Sequence, residues 1–284
     1  MTARMQAVLL PGGRLHLNDG PIDLIIAADG EAGEDARAFT AARERFSSIL
    51  NELCAELTLL RDAVGERPNG IVAQRMWAAT LPHAARGFIT PMAAVAGAVA
   101  EEVLAAMTGA AELNRAAVNN GGDIALHLAP GASYRIGLID RPDKPSLLGE
   151  AVIGSTSTAR GIATSGWRGR SFSLGIADAV TVLARTASGA DAAATVIANA
   201  VDLPGHPAIT RVRADRLQPD NDLRHRLVTR AVGPLTPREI AKALAAGFVV
   251  AQDLRRAGLI IDCALHLAGE TRVLAQTELL EAAA

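Results

Sequence analysis

The chain has 284 residues, of which 50% are hydrophobic, 20% charged and only 3% aromatic, and its formal net charge is −2. This length allows a substantial buried core, and the composition excludes a disordered chain. The small net charge and the few aromatic rings argue against nucleic acid or a membrane surface as a partner, because charge attraction and base stacking are both weak. Any phosphate group must therefore be bound by local contacts.

The N-terminal stretch MTARMQAVLLPGGRLHL is apolar for only a few residues before Pro11. A signal peptide or a membrane span needs a longer hydrophobic run. Cys54 and Cys263 lack the paired spacing of a zinc site or a redox motif, so we expect two buried thiols. These features predict a cytoplasmic protein.

The first elements predicted along the chain are two short strands in GRLHLNDGPIDLIIAADG, separated by a turn at residues 18–21. Apolar side chains at helical spacing from Phe46 to Leu60 predict a long amphipathic helix that closes at Gly65. A second helix is predicted from Thr90 as the N-cap, and its almost wholly apolar surface predicts a central position in the fold.

The stretches VNNGGDIALHL and SYRIGLID predict neighbouring strands joined at Pro130 and Gly131. The turn-forming residues NNGGD have two interpretations. They can form a hairpin turn, because Asn and Gly adopt positive φ at low cost. Alternatively, the Gly-Gly pair lets the backbone approach a ligand, its N–H groups form an anion-binding nest, and Asp123 lies at the edge.

The remaining elements are predicted from local signals. The stretch EAVIGSTSTARGIATSGWRGRSFSLGIADAVTVLA predicts further strands separated by hydroxyl-rich turns. Residues 211–230 alternate arginine with aspartate, which indicates a solvated or ion-paired surface or, alternatively, contacts to phosphate. A helix with a capping box is predicted from Thr236, and LIIDCALHLAGETRVLAQ predicts a final hairpin.

A helix predicted in GADAAATVIANAV has only three polar side chains, Asp191, Thr195 and Asn199, and their spacing places them on one face. In one interpretation Asp191 caps the helix and Thr195 binds a backbone carbonyl four residues back. In the other, a carboxylate and a hydroxyl one turn apart are two oxygen ligands of Mg²⁺.

Three motifs in this order, NNGGD at 119–123, ATSG at 163–166 and Asp191-x-x-x-Thr195, resemble the signatures of the ApbE-type FAD:protein FMN transferases. GPIDLII, TPMAAVAGAVAE, VNNGGDIALHL and SFSLGIADAVTVLA are similar to an uncharacterised bacterial and archaeal branch of that superfamily. The resemblance covers nearly the whole chain. It implies an α+β, ApbE-like fold with central helices packed between strands and a nucleotide cleft. It also implies a single domain over residues 1–284, and leaves open whether this domain is divided into two lobes.

The resemblance further implies a flavin site beside a divalent metal. Asp191 and Thr195 would hold Mg²⁺. FAD would lie along Asn119, Asn120, Gly121, Gly122, Asp123, Ala163, Thr164, Ser165 and Gly166. The implied reaction is attack by a hydroxyl of an acceptor protein on the FMN-side phosphorus of FAD, with AMP as the leaving group.

The sequence departs from the transferases at two places. They carry His-x-x-Asp-Pro-x-x-Gly after their TSG stretch, whereas WRGRSFSLGIADAV has no histidine. Their Lys-Gly pair in the central helix corresponds to Ala96-Gly97 here, so its positive charge is missing. Asp178 is therefore the candidate catalytic base, with a turn aspartate as its other interpretation. His16 is the second candidate, although a strand histidine with a structural partner is the simpler interpretation.

Three classes of function follow. The first is a flavin transferase, and the second is a flavin-binding or flavin-trafficking protein without turnover. The third is a different small-molecule enzyme that reuses the cleft, since a fold does not fix chemistry. The sequence leaves open the acceptor and whether the chain forms a homo-oligomer.

Overall fold

The computed structural model describes residues 5–139, 147–275 and 280–281. Its strands are β1 (Gln6–Leu10), β2 (Arg14–Asp19), β3 (Ile22–Gly30), β4 (Leu113–Asn120), β5 (Asp123–Leu128), β6 (Ser133–Ile139), β7 (Leu147–Gly154), β8 (Gly161–Ser165), β9 (Ala179–Ala184), β10 (Ile209–Arg213), β11 (Leu227–Val232), β12 (Asp262–Leu267), β13 (Glu270–Leu274) and β14 (Leu280–Glu281). Its α-helices are α1 (Glu34–Ala55), α2 (Leu57–Leu60), α3 (Ile71–Thr80), α4 (Val95–Ala110), α5 (Ala187–Ala200), α6 (Ala214–Leu217) and α7 (Pro237–Arg256). Two 3-10 helices, Leu81–Arg86 and Pro91–Ala94, precede α4.

The described residues divide into two compact units. The first contains the chain up to Tyr134 together with Ile153–Ala163 and Ala184–Asp191. The second contains Arg135–Val152, Thr164–Leu183 and the described residues from Ala192 onward. The chain passes from one unit to the other within β6, β7, β8, β9 and α5. The expectation of a single domain, whether or not it is divided into two lobes, stays a prediction.

The first unit consists of an antiparallel sheet covered by helices. Its strand order is β1-β2-β3-β4-β5-β8. Helix α4 contacts α1, α3, β4 and β5, so it occupies the predicted central position. The buried face of α1 repeats every three or four residues, at Ala38, Ala42, Phe46, Ile49 and Leu53. Burial of this apolar stripe against α4 and the sheet is the main stabilising contribution of α1.

The second unit has its own helix-on-sheet core. Strands β9, β12 and β13 are antiparallel neighbours in that order, and α7 packs on β12 and β13. Helix α7 has the predicted capping box, in which Thr236 and Glu239 satisfy each other's backbone N–H groups. A hairpin of β10 and β11 and a small sheet in the order β14-β7-β6 complete the unit. Helices packed on largely antiparallel sheets confirm the predicted α+β class.

Two predicted elements differ from the structure. The amphipathic helix is not continuous to Gly65, because Glu56 has non-helical φ and ψ between α1 and α2. The Glu56 carboxylate accepts the backbone N–H groups of Asn69 and Gly70, both at 2.7 Å, which ties this break to a later loop. Cys54 is exposed rather than buried, whereas Cys263 is buried as expected. Cys54 lies in α1 outside its buried stripe.

The predicted pairing of SYRIGLID with the preceding strand is wrong. Strand β5 pairs with β4 on one side and with β8 on the other, where Ile124 lies opposite Ile162. Strand β6 instead joins the small sheet with β7 and β14. Residue 140, the last of the predicted strand, lies outside the described residues.

One segment among the described residues, Pro91–Ala110, is long and apolar enough to cross a membrane by length and composition. Its mean hydropathy is 1.4, and half of it is buried inside the protein. The core helix of a globular unit passes the same test, so this segment is weak evidence for a span. The cytoplasmic location stays a prediction.

Candidate functional site

The NNGGD motif forms the hairpin between β4 and β5. Gly121 and Gly122 have φ values of 66° and 114°, and Asn120 lies opposite Asp123 across the turn. Positive φ at both central positions explains the Gly-Gly pair without a ligand. The side-chain oxygen of Asn119 accepts the Gly122 N–H at 2.8 Å, so this amide already has an internal partner.

Asn120 connects this hairpin to the first turn of α4. Its side chain is buried, and its Nδ2 donates to the Ala96 carbonyl at 3.2 Å. The next amide, Gly97 N–H, donates to Oδ2 of Asp191 at 3.1 Å. The hairpin, the start of α4 and the first turns of α5 therefore meet within the first unit.

Gly97 is the point of closest approach between α4 and α5. A Cβ atom at this position would lie 2.3 Å from the Ala187 carbonyl oxygen. Only glycine allows the backbones to come so close. This approach brings the Asp191 carboxylate to the N-terminal amides of α4, where the helix dipole favours negative charge.

The surroundings of Asp191 act on its charge in opposite directions. Burial and then the nearby Asp123 carboxylate raise the pKa of Asp191 well above its ordinary value, and Glu101 adds to this. The backbone N–H groups of Gly97 and Ala96 lower it, but the net direction is upward. An ionised Asp191 is therefore costly in the fold unless a cation lies beside it.

The donor set suits Mg²⁺. Thr195 lies one turn beyond Asp191 on α5 and is half-buried, so a carboxylate and a hydroxyl share one helix face. Among the described residues no group of three or more His, Cys, Asp and Glu side chains forms a metal cluster. One or two carboxylates, completed by water and ligand phosphates, are characteristic of Mg²⁺ sites rather than of zinc sites.

The third polar residue of the α5 face has a structural role. Oδ1 of Asn199 accepts the Leu174 N–H at 2.9 Å and the Ser173 hydroxyl at 3.3 Å. These contacts fix the loop that precedes β9 in the second unit. On the polar face of α5, Asp191 and Asn199 therefore have different partners, and Thr195 lies between these two residues along the helix.

The ATSG motif lies at the end of β8. Ala163, Thr164 and Ser165 are its last three residues, and Gly166 follows. The Thr164 and Thr181 hydroxyls are 2.9 Å apart. A Cβ atom on Gly166 would lie 2.5 Å from the Asp178 carbonyl oxygen, so close packing against residues 177–178 requires this glycine.

Asp178 is buried and accepts hydrogen bonds on both carboxylate oxygens. Oδ1 accepts Trp167 Nε1–H at 3.1 Å and Arg168 Nε–H at 2.5 Å. Oδ2 accepts the Ala268 N–H at 2.7 Å. The Arg168 guanidinium also lies 4.3 Å above the Trp167 ring. Asp178 thus joins the segment after ATSG to the β12–β13 turn, and its role as a base stays a prediction.

His16, the second candidate base, lies on β2 in the first unit. Its Nε2 is 2.6 Å from Oδ1 of Asp23 on β3. Both side chains are partly exposed. This pair accounts for the histidine structurally, as the simpler interpretation of the sequence expected.

Sequence reasoning missed Glu101, which satisfies the first turn of α5. Its Oε1 accepts Ser188 N–H at 2.6 Å and Ser188 Oγ–H at 2.8 Å. The Thr186 hydroxyl accepts the next amide, Gly189 N–H, at 3.1 Å. The available signal was the pair Glu101 and Glu102 inside an otherwise apolar helix, because buried carboxylates need specific partners.

These features define an α+β protein whose first unit places the Asp191 carboxylate where the first turns of α4 and α5 meet beside the β4–β5 hairpin. The model of the family described as AbpE bacteria matches residues 6–273, so the chain belongs to that family. This match confirms the ApbE-like resemblance of the sequence motifs.

Two proteins that the chain is similar to come from Methanopyrus kandleri and Methanothrix thermoacetophila. The chain is 41% identical over 112 residues to a UPF0280 protein of Methanopyrus kandleri. The aligned segment covers 39% of this chain and 43% of that protein. It is 39% identical over 132 residues to a UPF0280 protein of Methanothrix thermoacetophila, covering 46% and 52%. The chain thus spans about half the length of the curated relatives it matches.

A solved structure, the apo form of the Pseudomonas stutzeri flavinyl transferase ApbE, aligns with a TM-score of 0.47 and 11% sequence identity. The alignment covers 96% of this chain and 94% of that chain. A likeness at this level does not bear on the activity of the chain.

Proposed function

We propose that the chain is a Mg²⁺-dependent, flavin transferase-like enzyme that acts on FAD. Family membership supports this proposal, and the environment of Asp191 carries it. A carboxylate placed at two helix amides beside a second acidic residue, with its pKa raised, is suited to a divalent cation.

In this proposal Asp191 and Thr195 hold Mg²⁺, which when bound neutralises charge on the FAD diphosphate. The β4–β5 hairpin supports the site, because Asn120 links it to the same turn of α4 that binds Asp191. Asn119, Gly121, Gly122 and Asp123 on the hairpin, and Ala163 to Gly166 on the ATSG segment, are the proposed contacts to the nucleotide.

The proposed reaction transfers FMN to an acceptor protein. A hydroxyl oxygen of the acceptor forms a bond to the FMN-side phosphorus, and the bond from that phosphorus to the bridging oxygen breaks. AMP leaves with the bridging oxygen, and the hydroxyl proton passes to a base. Asp178 is the proposed base, since the WRGRSFSLGIADAV stretch offers no histidine.

The contacts of Asp178 favour a second candidate function, a flavin-binding or flavin-trafficking protein without turnover. Both oxygens of its carboxylate accept hydrogen bonds from Trp167, Arg168 and Ala268. A general base must reach the proton that it removes. A carboxylate held by three internal donors is better placed to fix the loop than to approach an acceptor hydroxyl.

Incubation of FAD with the protein, Mg²⁺ and a cell extract that supplies acceptors separates these candidates. The transferase proposal expects slow formation of AMP and a covalently flavinylated polypeptide, both detected by chromatography and both lost in Asp191→Asn. If FAD binds but stays intact, the transferase proposal is wrong and the binding function replaces it.

Two variants then test the base. Asp178→Asn removes the carboxylate, whereas Arg168→Met removes the ion pair and leaves the carboxylate in place. If Asp178 is the base, only Asp178→Asn abolishes AMP release at unchanged FAD affinity. Equal losses in the two variants would show that Asp178 positions the loop, and normal turnover in Asp178→Asn would make His16 the next residue to change.

A further inference from the structure

Helices α4 and α5 cap each other. Asp191 of α5 accepts the Gly97 amide in the first turn of α4, and Glu101 of α4 accepts the Ser188 amide in the first turn of α5. The first backbone N–H groups of a helix have no partner within the helix, so each carboxylate satisfies an otherwise unpaired donor. The two helix starts are therefore fixed to one another by one side chain from each helix.

The spacing along each helix places its two contacting residues on the same helix face, so the two contacts depend on each other. Gly97 and Glu101 are four residues apart on α4, and Ser188 and Asp191 are three apart on α5. Residues at these spacings share a helix face. Loss of the Glu101 contact would therefore free the turn of α5 that carries Asp191.

Glu101 is itself held firmly. Its side chain is 12% exposed, and its Oε2 accepts Arg75 Nη1–H at 3.3 Å. Arg75 also binds Glu102, and Glu102 binds Arg45 at 2.8 Å. This ion network joins α1, α3 and α4 to the first turn of α5. The described contacts of Glu102 lead to α1 and α3, so Glu102 offers a neighbouring carboxylate of the same network as a control.

We propose that Glu101 is a positioning residue that holds the first turn of α5 so that the Asp191 carboxylate stays at the α4 amides in a geometry that can bind a divalent cation. This inference deepens the proposed function and rests on the role of Asp191 as a ligand. Glu101 acts through Ser188 and the helix backbone, not by contact with the cation. Residues that orient metal ligands commonly affect affinity by about 10- to 100-fold.

The test compares Glu101→Ala, Glu101→Gln and Glu102→Ala in the full chain. The first measurement is the hydrogen exchange rate of the Ser188 and Gly97 amides by NMR, without metal. The second is the affinity for Mn²⁺, a paramagnetic substitute for Mg²⁺, by electron paramagnetic resonance. Glu101→Ala should accelerate exchange at both amides and weaken Mn²⁺ binding by about tenfold. Glu101→Gln should have a smaller effect, because its amide oxygen can still accept the Ser188 N–H.

Glu102→Ala should lower the melting temperature through the loss of Arg45 and Arg75 contacts, but leave Gly97 exchange and Mn²⁺ affinity unchanged. Equal weakening of Mn²⁺ binding in Glu101→Ala and Glu102→Ala would overturn the positioning role, since the effect would belong to the whole ion network. Unchanged Gly97 exchange in Glu101→Ala would overturn it as well. If wild-type protein binds no Mn²⁺, the proposed function fails, and the exchange rates still decide whether Glu101 positions Asp191.

Discussion

Asp191 makes opposite contributions to stability and to cation binding. Its pKa is raised by burial and by Asp123, so the unfolded chain ionises this group at a lower pH than the folded protein does. The metal-free fold therefore loses stability as pH rises above about 4, the ordinary pKa of an aspartate. A bound divalent cation would reverse this cost, because it binds the ionised form.

We expect Asp191→Asn to leave the metal-free protein as stable as the wild type at pH 7, or more stable, with the difference shrinking toward pH 4. The asparagine oxygen can still accept the Gly97 N–H, and it carries no charge. Mg²⁺ should raise the melting temperature of the wild type but not of the variant. Thermal unfolding with and without Mg²⁺, at both pH values, measures each effect.

Thr195→Val is the companion variant for this experiment. It removes only a neutral ligand and keeps the side-chain volume, so the stabilisation by Mg²⁺ should fall less than in Asp191→Asn. A large loss of metal-free stability in Asp191→Asn, together with an unaltered response to Mg²⁺, would identify Asp191 as a helix cap and nothing more.

His83 predicts a separate pH dependence. Its side chain is buried, its Nδ1 has no hydrogen-bond partner among the described residues, and burial lowers its pKa to about 4. The unfolded chain binds a proton at this group near pH 6.5, so stability falls as pH drops from 6.5 to 4. The difference between the pKa of His83 in the unfolded chain and its pKa in the fold corresponds to roughly 3 kcal/mol in the free energy of unfolding.

His83→Leu should therefore lose about 3 kcal/mol less stability than the wild type between pH 6.5 and pH 4. Leucine is apolar and of similar size, so stability at pH 7 should change little. Urea unfolding at a series of pH values measures the difference. Parallel pH profiles for the two proteins would mean that His83 is protonated in the fold or reaches a partner there.

At the scale of elements, the contact between α4 and α5 depends on one glycine. Gly97→Ala would place a Cβ atom 2.3 Å from the Ala187 carbonyl oxygen, which forces the helices apart and breaks both carboxylate caps. We expect a loss of about 2–3 kcal/mol in the free energy of unfolding. Denaturant titration would measure it, and the Ser188 amide should lose exchange protection.

Gly109→Ala is a matched control on the same helix. Among the described residues, no atom outside the adjacent helix backbone lies within 4 Å of a Cβ at this position, so alanine should stabilise α4 by about 0.5–1 kcal/mol through its helix propensity. If Gly97→Ala also stabilised the protein, the close approach of the two helices in solution would have to be abandoned.

Local signals predicted most elements of this chain. The capping box of α7, the β2–β3 and β12–β13 hairpins and the polar face of α5 depend on residues within a few positions of one another. The pairing of β6 could not be predicted in this way. Alternating side chains identify a strand but not its neighbour, and the edge of β5 is occupied by β8.

The candidate site shows the same division. The sequence singled out Asp191 and Thr195 from their spacing on one helix and placed NNGGD at a turn. The partner of Asp191 is 94 residues earlier at Gly97, and Glu101 reaches Ser188 across 87 residues. No local pattern encodes contacts at such separations. They follow from how the helices pack, and this also explains why Asp178 was recognised as a turn residue but not as a partner of Arg168 and Ala268.

At the scale of the whole molecule, the question is which ligand the full chain recognises. FAD, FMN and riboflavin share the isoalloxazine ring and differ in phosphate content. If Mg²⁺ at Asp191 and Thr195 contacts a diphosphate, FAD should bind about tenfold or more tightly than riboflavin when Mg²⁺ is present, with FMN between them. Removal of Mg²⁺ by EDTA, or the Asp191→Asn change, should abolish the advantage of FAD while weak ring binding persists. Flavin fluorescence quenching measures all three affinities under identical conditions.

Equal affinities for the three flavins would exclude a flavin-diphosphate site, and the absence of binding to any of them would favour a different small-molecule enzyme. A preference for FAD that survives both EDTA and Asp191→Asn would locate the phosphate contacts on the backbone amides of the motif loops instead of on the metal.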